Sequence, residues 1–175
     1  MADNAKTPDK TINYRVYQDG TNLIGLATVD LPEISYMTDT LTGAGVAGEL
    51  ETPVTGHIGA MSLTLNWRTV NPKALALLKV SGATLTLRSA QQEVDNAENA
   101  LTVQSTKITV KTLPKTVSLG SFEPGASTDT TTELEISYLK IEVDDEEVCE
   151  IDKLNFICKF GDTDTLTDVR TALGI

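Results

Sequence analysis

Along residues 61–68, Met61, Leu63, Leu65 and Trp67 alternate without a break with Ser62, Thr64, Asn66 and Arg68. A strict period of two places the apolar set on one side of an extended chain and the polar set on the other, which a helix of 3.6 residues per turn cannot do. The segment therefore reads as a half-buried strand with Trp67 in the core. The same period recurs in Ile12, Tyr14 and Val16 set against Asn13, Arg15 and Tyr17. Threonine, a β-branched residue suited to a pleated surface, occurs 26 times in 175 residues. The chain reads as mainly β.

Turn chemistry divides the pattern. Asp19-Gly20 supplies a hairpin turn between the first strand and a second over Asn22 to Leu31. Further strands are expected at Ala83 to Arg88, Leu101 to Thr112, Thr132 to Val143 and Glu147 to Phe160, with Asp144-Asp145 joining the last two. Glu93 to Asn99 reads as either a turn of helix or a polar loop. Leu134, Ile136 and Tyr138 give way to Leu139, Ile141 and Val143 on the opposite parity. Either a bulge interrupts that strand or both of its faces are covered.

Two short helices interrupt the strands. Asn71-Pro72 puts a capping side chain before a proline suited to the first helical position, and Ala74, Leu75, Leu77 and Leu78 continue the helix. The second is expected within 163–174, with Asp162 and Asp164 near its positive end, Leu166, Val169 and Leu173 on one stripe, and Gly174 as terminator.

With 25 acidic and 14 basic residues, the formal net charge is −11. A nucleic-acid reader held by phosphate contacts is thereby disfavoured, because it needs a concentrated basic surface. No apolar run approaches the roughly 20 residues that cross a bilayer, and the start of the chain lacks a secretory apolar stretch, so a chain made in, and soluble in, a cytoplasm is expected. The sole histidine, His57, and two cysteines, Cys149 and Cys158, are too few for a zinc centre of the usual kind. His57 reads as a loop or strand-edge residue with no nucleophile beside it, and no catalytic, cofactor or metal residue is assigned. The cysteines, nine positions apart, would point to opposite faces if one strand carried both, and read as reduced small hydrophobes.

Residues 37–56 fit a strand poorly. Their centre, Gly43-Ala44-Gly45-Val46-Ala47-Gly48, spells GxGxxG, but a dinucleotide fingerprint must follow a strand and open a helix, and no helical pattern follows. The small residues, with Leu41, Val46 and Leu50, fit a loop that lies flat against a neighbour. From Glu142 to Asp152, seven carboxylates run with no basic residue between them. Calcium-loop spacing is absent, and the stretch reads as a solvated acidic surface.

Several of these features stand in a familiar order. Asn13-Tyr14-Arg15-Val16-Tyr17 and Leu23-Ile24-Gly25-Leu26-Ala27 run into Val29-Asp30-Leu31-Pro32; the glycine-rich loop follows; Val148-Cys149-Glu150-Ile151-Asp152-Lys153-Leu154-Asn155-Phe156-Ile157 and a helix with Arg170 and Leu173-Gly174-Ile175 close the chain. In this the chain resembles the major tail tube proteins of contractile-tailed phages, the P2-like tail tube family that includes R-type bacteriocin tubes. The resemblance implies a single domain over 1–175 with a β-sandwich or barrel-like tail tube fold. It also implies hexameric rings whose inner sheets join into one barrel and which stack into a conduit for DNA passage or envelope puncture. Implied partners are copies of the chain itself, sheath subunits outside, and baseplate and terminator proteins at the ends, within a virion tail or phage-tail-like particle synthesised and assembled in the bacterial cytoplasm. DNA would pass without specific binding, since a carboxylate-rich wall would repel its phosphates and an uncharged one would not hold them.

On that reading, residues 1–10 form a polar arm and Met37, Leu41, Gly43, Ala44, Gly45, Val46, Ala47, Gly48 and Glu49 touch the next ring. Polar strand faces are expected to line the lumen: Ser62, Thr64 and Asn66, Thr102, Gln104 and Thr106, and Glu133, Glu135 and Ser137, each set alternating with apolar residues that fill the core. The competing readings are a type VI secretion-like ring-forming tube protein and a soluble β-sandwich binding module; the second needs exposed aromatics that a chain with one tryptophan hardly supplies.

Overall fold

A computed structural model describes residues 6–25 and 27–175. Twelve strands and two short helices follow in the order β1 (Lys6–Gln18), β2 (Asn22–Leu23), β3 (Ala27–Asp30), β4 (Tyr36–Leu41), β5 (Leu50–Ile58), β6 (Ser62–Trp67), α1 (Pro72–Ala76), β7 (Ala83–Asp95), β8 (Ala100–Ser118), β9 (Thr130–Val143), β10 (Glu146–Asp152), β11 (Ile157–Phe160), β12 (Thr163–Asp164) and α2 (Thr167–Leu173). The fold is mainly β, as the alternation predicts.

One antiparallel sheet runs β12-β11-β10-β9-β8-β7-β1-β2, with β6 also paired to β9 and β3 to β6, while β4 and β5 form a separate two-stranded sheet. Strand β9 is the pivot. Its first half, Thr130 to Glu135, pairs with β6, and its second half, Tyr138 to Val143, pairs with β10. Between them Ser137 is the extra residue in the ladder with β8, where Lys111 faces Tyr138 and Thr112 faces Ile136. The buried positions accordingly switch from Thr130, Thr132, Leu134 and Ile136 to Leu139. A bulge thus accounts for the parity change, and it also marks the point where β9 exchanges one neighbour for another.

The core collects what the sheet folds over. Leu63, Leu65 and Trp67 of β6 meet Leu85 of β7, Val110 of β8, Leu134, Ile136 and Leu139 of β9, and Ile151 of β10 in one buried cluster. Trp67 donates its indole N–H to Thr132 Oγ1 at 3.1 Å, which satisfies the one polar atom that its burial would otherwise strand. Helix α1 adds Ala74, and the turn after it adds Leu77. Asn71 caps α1 by accepting from the Lys73 N–H at 2.9 Å, with Pro72 at the first turn.

Several local expectations change. The second strand breaks in two, because only Asn22 and Leu23 pair with β1 whereas Ala27 to Asp30 pair with β6. The last strand also breaks. Asp152 accepts from the Leu154 and Asn155 N–H groups, both at 3.0 Å, and this side-chain turn reverses the chain between β10 and β11. The cysteines therefore lie on adjacent strands. Cys149 faces Phe160 and Cys158 faces Ile151, so both thiols share one side of the sheet, free and buried. Burial, and then the neighbouring Cys158, push the Cys149 thiol up to about 11. Of the two readings of Glu93 to Asn99 the polar loop is the nearer: Glu93 to Asp95 end β7 and residues 96–99 turn tightly into β8, with Asp95 accepting from Ala97 N–H at 2.8 Å. Residues 6–10 of the expected arm extend β1 along β7; the first five lie outside the described residues. Thr163 and Asp164, expected in the closing helix, pair as β12 with Phe160 and Lys159, and the helix begins at Thr167.

Candidate functional site

Residues 37–56 are not an irregular loop but most of a hairpin. Leu41 faces Leu50, Thr40 faces Glu51 and Asp39 faces Thr52, with Gly43, Ala44, Gly45, Val46, Ala47, Gly48 and Glu49 in the tip between the strands. Every residue of β4 is exposed. Leu41 and Leu50 share one face with Met37 and Val54, so a stripe of four apolar side chains faces water. No helix follows the glycines, so the GxGxxG spelling has no phosphate-binding context.

The base of this hairpin is fixed. Gly56 has φ +68°, and the space a Cβ would need there is filled by the buried Leu166 side chain just before α2. Tyr36 lies 6.4 Å from Phe160, ring centre to ring centre. Leu166 is itself held by Asp164, whose carboxylate accepts from the Leu166 N–H at 3.1 Å and from Arg170 Nη2 at 2.7 Å. Partial burial pulls the Asp164 carboxyl upward, but the Arg170 guanidinium and two backbone N–H groups outweigh it and hold it below its ordinary range. His57 is an exposed residue of β5 beside this anchor.

The expected lumen-facing residues separate into two groups. Ser62 faces Glu135, Thr64 faces Glu133 and Asn66 faces Thr131 across the β6–β9 ladder, so five of them share the side of the sheet turned away from the core. That side is knitted by side chains: Lys115 reaches Glu133 at 2.6 Å and Ser62 at 3.2 Å, and Asn66 donates to Asp30 at 2.9 Å. Ser137, at the bulge, donates to the Lys111 carbonyl at 3.3 Å. Thr102, Gln104 and Thr106 lie on the other side, because they follow the parity of Ile108 and Val110. The apolar residues between them, Leu101 and Val103, are 68% and 63% exposed. The premise that these neighbours fill the core fails, since the β7–β8 ribbon runs beyond the end of the core.

The acidic stretch is not simply solvated. Glu142 pairs with Lys107 at 2.7 Å, and Glu147 is held between Lys159 at 2.7 Å and Lys140 at 2.9 Å. Hydrogen bonds from these lysines hold both carboxyls below the ordinary glutamate range. The ladder belongs to a longer row. Arg15, Arg88, Lys107, Glu142 and Glu147 stand directly opposite one another across β1, β7, β8, β9 and β10. Sequence reading missed it because the register of distant strands is not written in local spacing. Among the described residues no group of three His, Cys, Asp or Glu is placed to hold a metal ion.

No curated protein gives a significant match. Among solved structures, the chain is similar to one in a cryo-EM structure of the PVC sheath/tube terminator, in its extended state, of an extracellular contractile injection system. The TM-score is 0.53 at 17% identity, over 77% of this chain and 96% of that one. A chain of the extended PVC sheath-tube complex matches with a TM-score of 0.47 and 16% identity, over 74% and 88%. The first similarity speaks to the fold alone. Residues 8–174 match the sequence profile of phage tail tube protein FII, which is nearly the whole chain, and the protein belongs to that family.

Proposed function

We propose that the chain is the structural, non-enzymatic subunit of the inner tube of a contractile phage tail or phage-tail-like particle, in which hexameric rings stack into a hollow conduit for DNA or for envelope puncture. Family membership over residues 8–174 carries this reading. Sheath subunits surround the tube, and baseplate and terminator proteins close its ends. The β4–β5 hairpin suits contact between rings: it stands apart from the main sheet, is anchored at its base, and exposes Met37, Leu41, Leu50 and Val54 on one face. Such a stripe gains its burial from a neighbour. Ser62, Thr64, Asn66, Glu133 and Glu135, on one polar sheet face, are the lumen-wall residues we favour.

Negative-stain electron microscopy of the purified chain at rising concentration tests the reading, with a variant lacking 41–49 beside it. Hollow rings or tubes from the intact chain, and rings without stacks from the deletion, are expected. A chain that stays monomeric at the highest concentration, with and without a tail-tip nucleus, overturns it.

A further inference from the structure

Strand β8 changes the side on which its apolar residues stand. Ile108 and Val110 turn to the core, whereas Leu101 and Val103, on the opposite parity, share the side of Lys107 and Arg88 and are exposed. In β9 a bulge reconciles such a parity change with burial, but the β7–β8 ladder runs from Ala83 to Asp95 without a register shift. The pattern itself therefore keeps this apolar pair outside the core. Val94, opposite Leu101, shares the face and is half-buried. The other side of the arm is polar and enclosed: Glu93 and Asp95 are buried there, and Lys6 lies 3.3 Å from the Glu93 carboxylate.

Arm and β4–β5 hairpin belong to opposite ends of the main sheet. The β9–β10 turn meets β8 at Ser105, whose carbonyl accepts from the Asp144 N–H at 2.9 Å. From there β8 runs on to Ala100, roughly 17 Å of extended chain. The hairpin is rooted at the other end, where Gly56, His57 and Ile58 border Ile151, Asp152 and Ile157 around the β10–β11 turn. Its apolar stripe of Met37, Leu41, Leu50 and Val54 carries Asp39 on the same face, and no lysine or arginine occurs anywhere from Glu33 to Ile58. Beside the arm's apolar face the sign is reversed. Arg15 and Arg88 stand directly opposite one another, exposed and without an ion-pair partner among the described residues. Like charges so placed destabilise a sheet by themselves. Asp145, on the rim of the same shallow depression, offsets one arginine and Glu142 answers Lys107, so a positive surplus remains.

We infer that, within the proposed tube, the outer face of the β7–β8 arm is the seat of the β4–β5 hairpin from a copy in the adjacent ring: the hairpin's stripe packs on Leu101, Val103 and Val94, and Asp39 comes to Arg15 and Arg88. The inference rests on the tube reading and adds which surface receives the hairpin. Each partner offers an apolar face flanked by charge of the opposite sign, which names a second copy as the occupant and fixes the orientation in which it docks. Two different, complementary surfaces at opposite ends of one subunit make a head-to-tail contact, the kind that repeats without closing and so builds a stack.

The test uses the full chain, with filament length read in negative stain and urea midpoints as the check on folding. Leu101→Ser with Val103→Ser is expected to keep the parent's midpoint, since both side chains already face water, and to raise the concentration at which rings stack by about tenfold or more. Asp39→Lys is expected to shorten filaments, and adding Arg15→Glu with Arg88→Glu to lengthen them again, because the charges are then exchanged on both sides of the contact. Leu41→Cys with Val103→Cys in one chain gives a direct readout, a ladder of covalent multimers from tubes under mild oxidation. Should the serine variant lose its fold, the cysteine pair decides alone. Normal stacking by the serine variant, no recovery after the charge exchange, or no ladder from tubes overturns the seat while leaving the tube reading intact. A ladder from unstacked rings overturns it as well, since the contact would then lie within a ring. If the unaltered chain forms neither rings nor tubes, the tube reading itself fails.

Discussion

Strand β6 and the β4–β5 hairpin are close in sequence, and both are extended chain, yet they stand at opposite extremes. Strand β6 has a partner on each side, and its residues alternate between half-buried and buried, with Leu63 and Leu65 almost wholly enclosed. Among the described residues the hairpin pairs with no third strand, and its leucines are about half exposed, Leu41 at 48% and Leu50 at 54%. A two-stranded ribbon is marginal in water without a third strand or a packed face. One segment thus holds the subunit together, and the other keeps its apolar surface for something outside it.

The largest way to break this contrast is in β6. Leu65→Ala removes a fully buried side chain from the middle of the core, and such truncations cost about 2–5 kcal/mol. The urea midpoint should fall with little change in slope, because the whole subunit unfolds as before. Gly56→Ala comes next. A Cβ there meets the Leu166 side chain, and the position has φ +68°, so the hairpin base must shift or strain at a cost of about 1–3 kcal/mol. Hydrogen exchange should quicken in β5 and around Leu166 before it does in β6.

How much of this was legible in the sequence follows from the same contrast. Wherever one face is buried, as in β6, alternation reads out both strand and core, and Trp67 falls where the pattern puts it. The caps of α1 were readable too, because Asn71-Pro72 acts within a few residues. The hairpin was not, since exposed strands need no alternation and glycine density imitates a loop. Leu101 and Val103, beside Thr102 and Gln104, stay out of the core because alternation says which residues share a face, not which face meets the core; past the core's end the two conventions part. The ladder around Glu147 was hidden for another reason. Its lysines come from β9 and β11, and only the fold brings them together.

That ladder offers a finer discrimination. Lys159 and Lys140 hold the Glu147 carboxyl below the ordinary value of 4.5. A carboxyl lowered on folding contributes stability above its unfolded value, and this contribution is lost as the pH falls through the lower folded value. Stability of the main sheet should therefore drop on acidification below about pH 4.5, with Lys107–Glu142 acting in the same sense. Glu147→Gln should lower the urea midpoint at pH 7 and flatten the acid limb, and the two proteins should converge at the lowest pH or in high salt. The hairpin's Asp39, Glu49 and Glu51 form no ion pair among the described residues, so exchange there should not follow this titration.

The smallest effect on stability is expected where the largest effect on assembly is expected. Leu41→Ser with Leu50→Ser removes two apolar side chains that face each other across the hairpin and are already half in water, so folding loses within about 0.5 kcal/mol. The same change halves the exposed stripe that also includes Met37 and Val54. If that stripe is covered by the next ring, the variant should match the parent in urea yet form rings that no longer stack, counted as the loss of filaments longer than one ring in negative stain. Filaments of normal length would sever the link between exposure and assembly, leaving the hairpin as a ribbon tolerated by the fold. A fall in the urea midpoint as large as that of Leu65→Ala would remove the contrast itself, because the hairpin would then contribute to the subunit's own stability as β6 does.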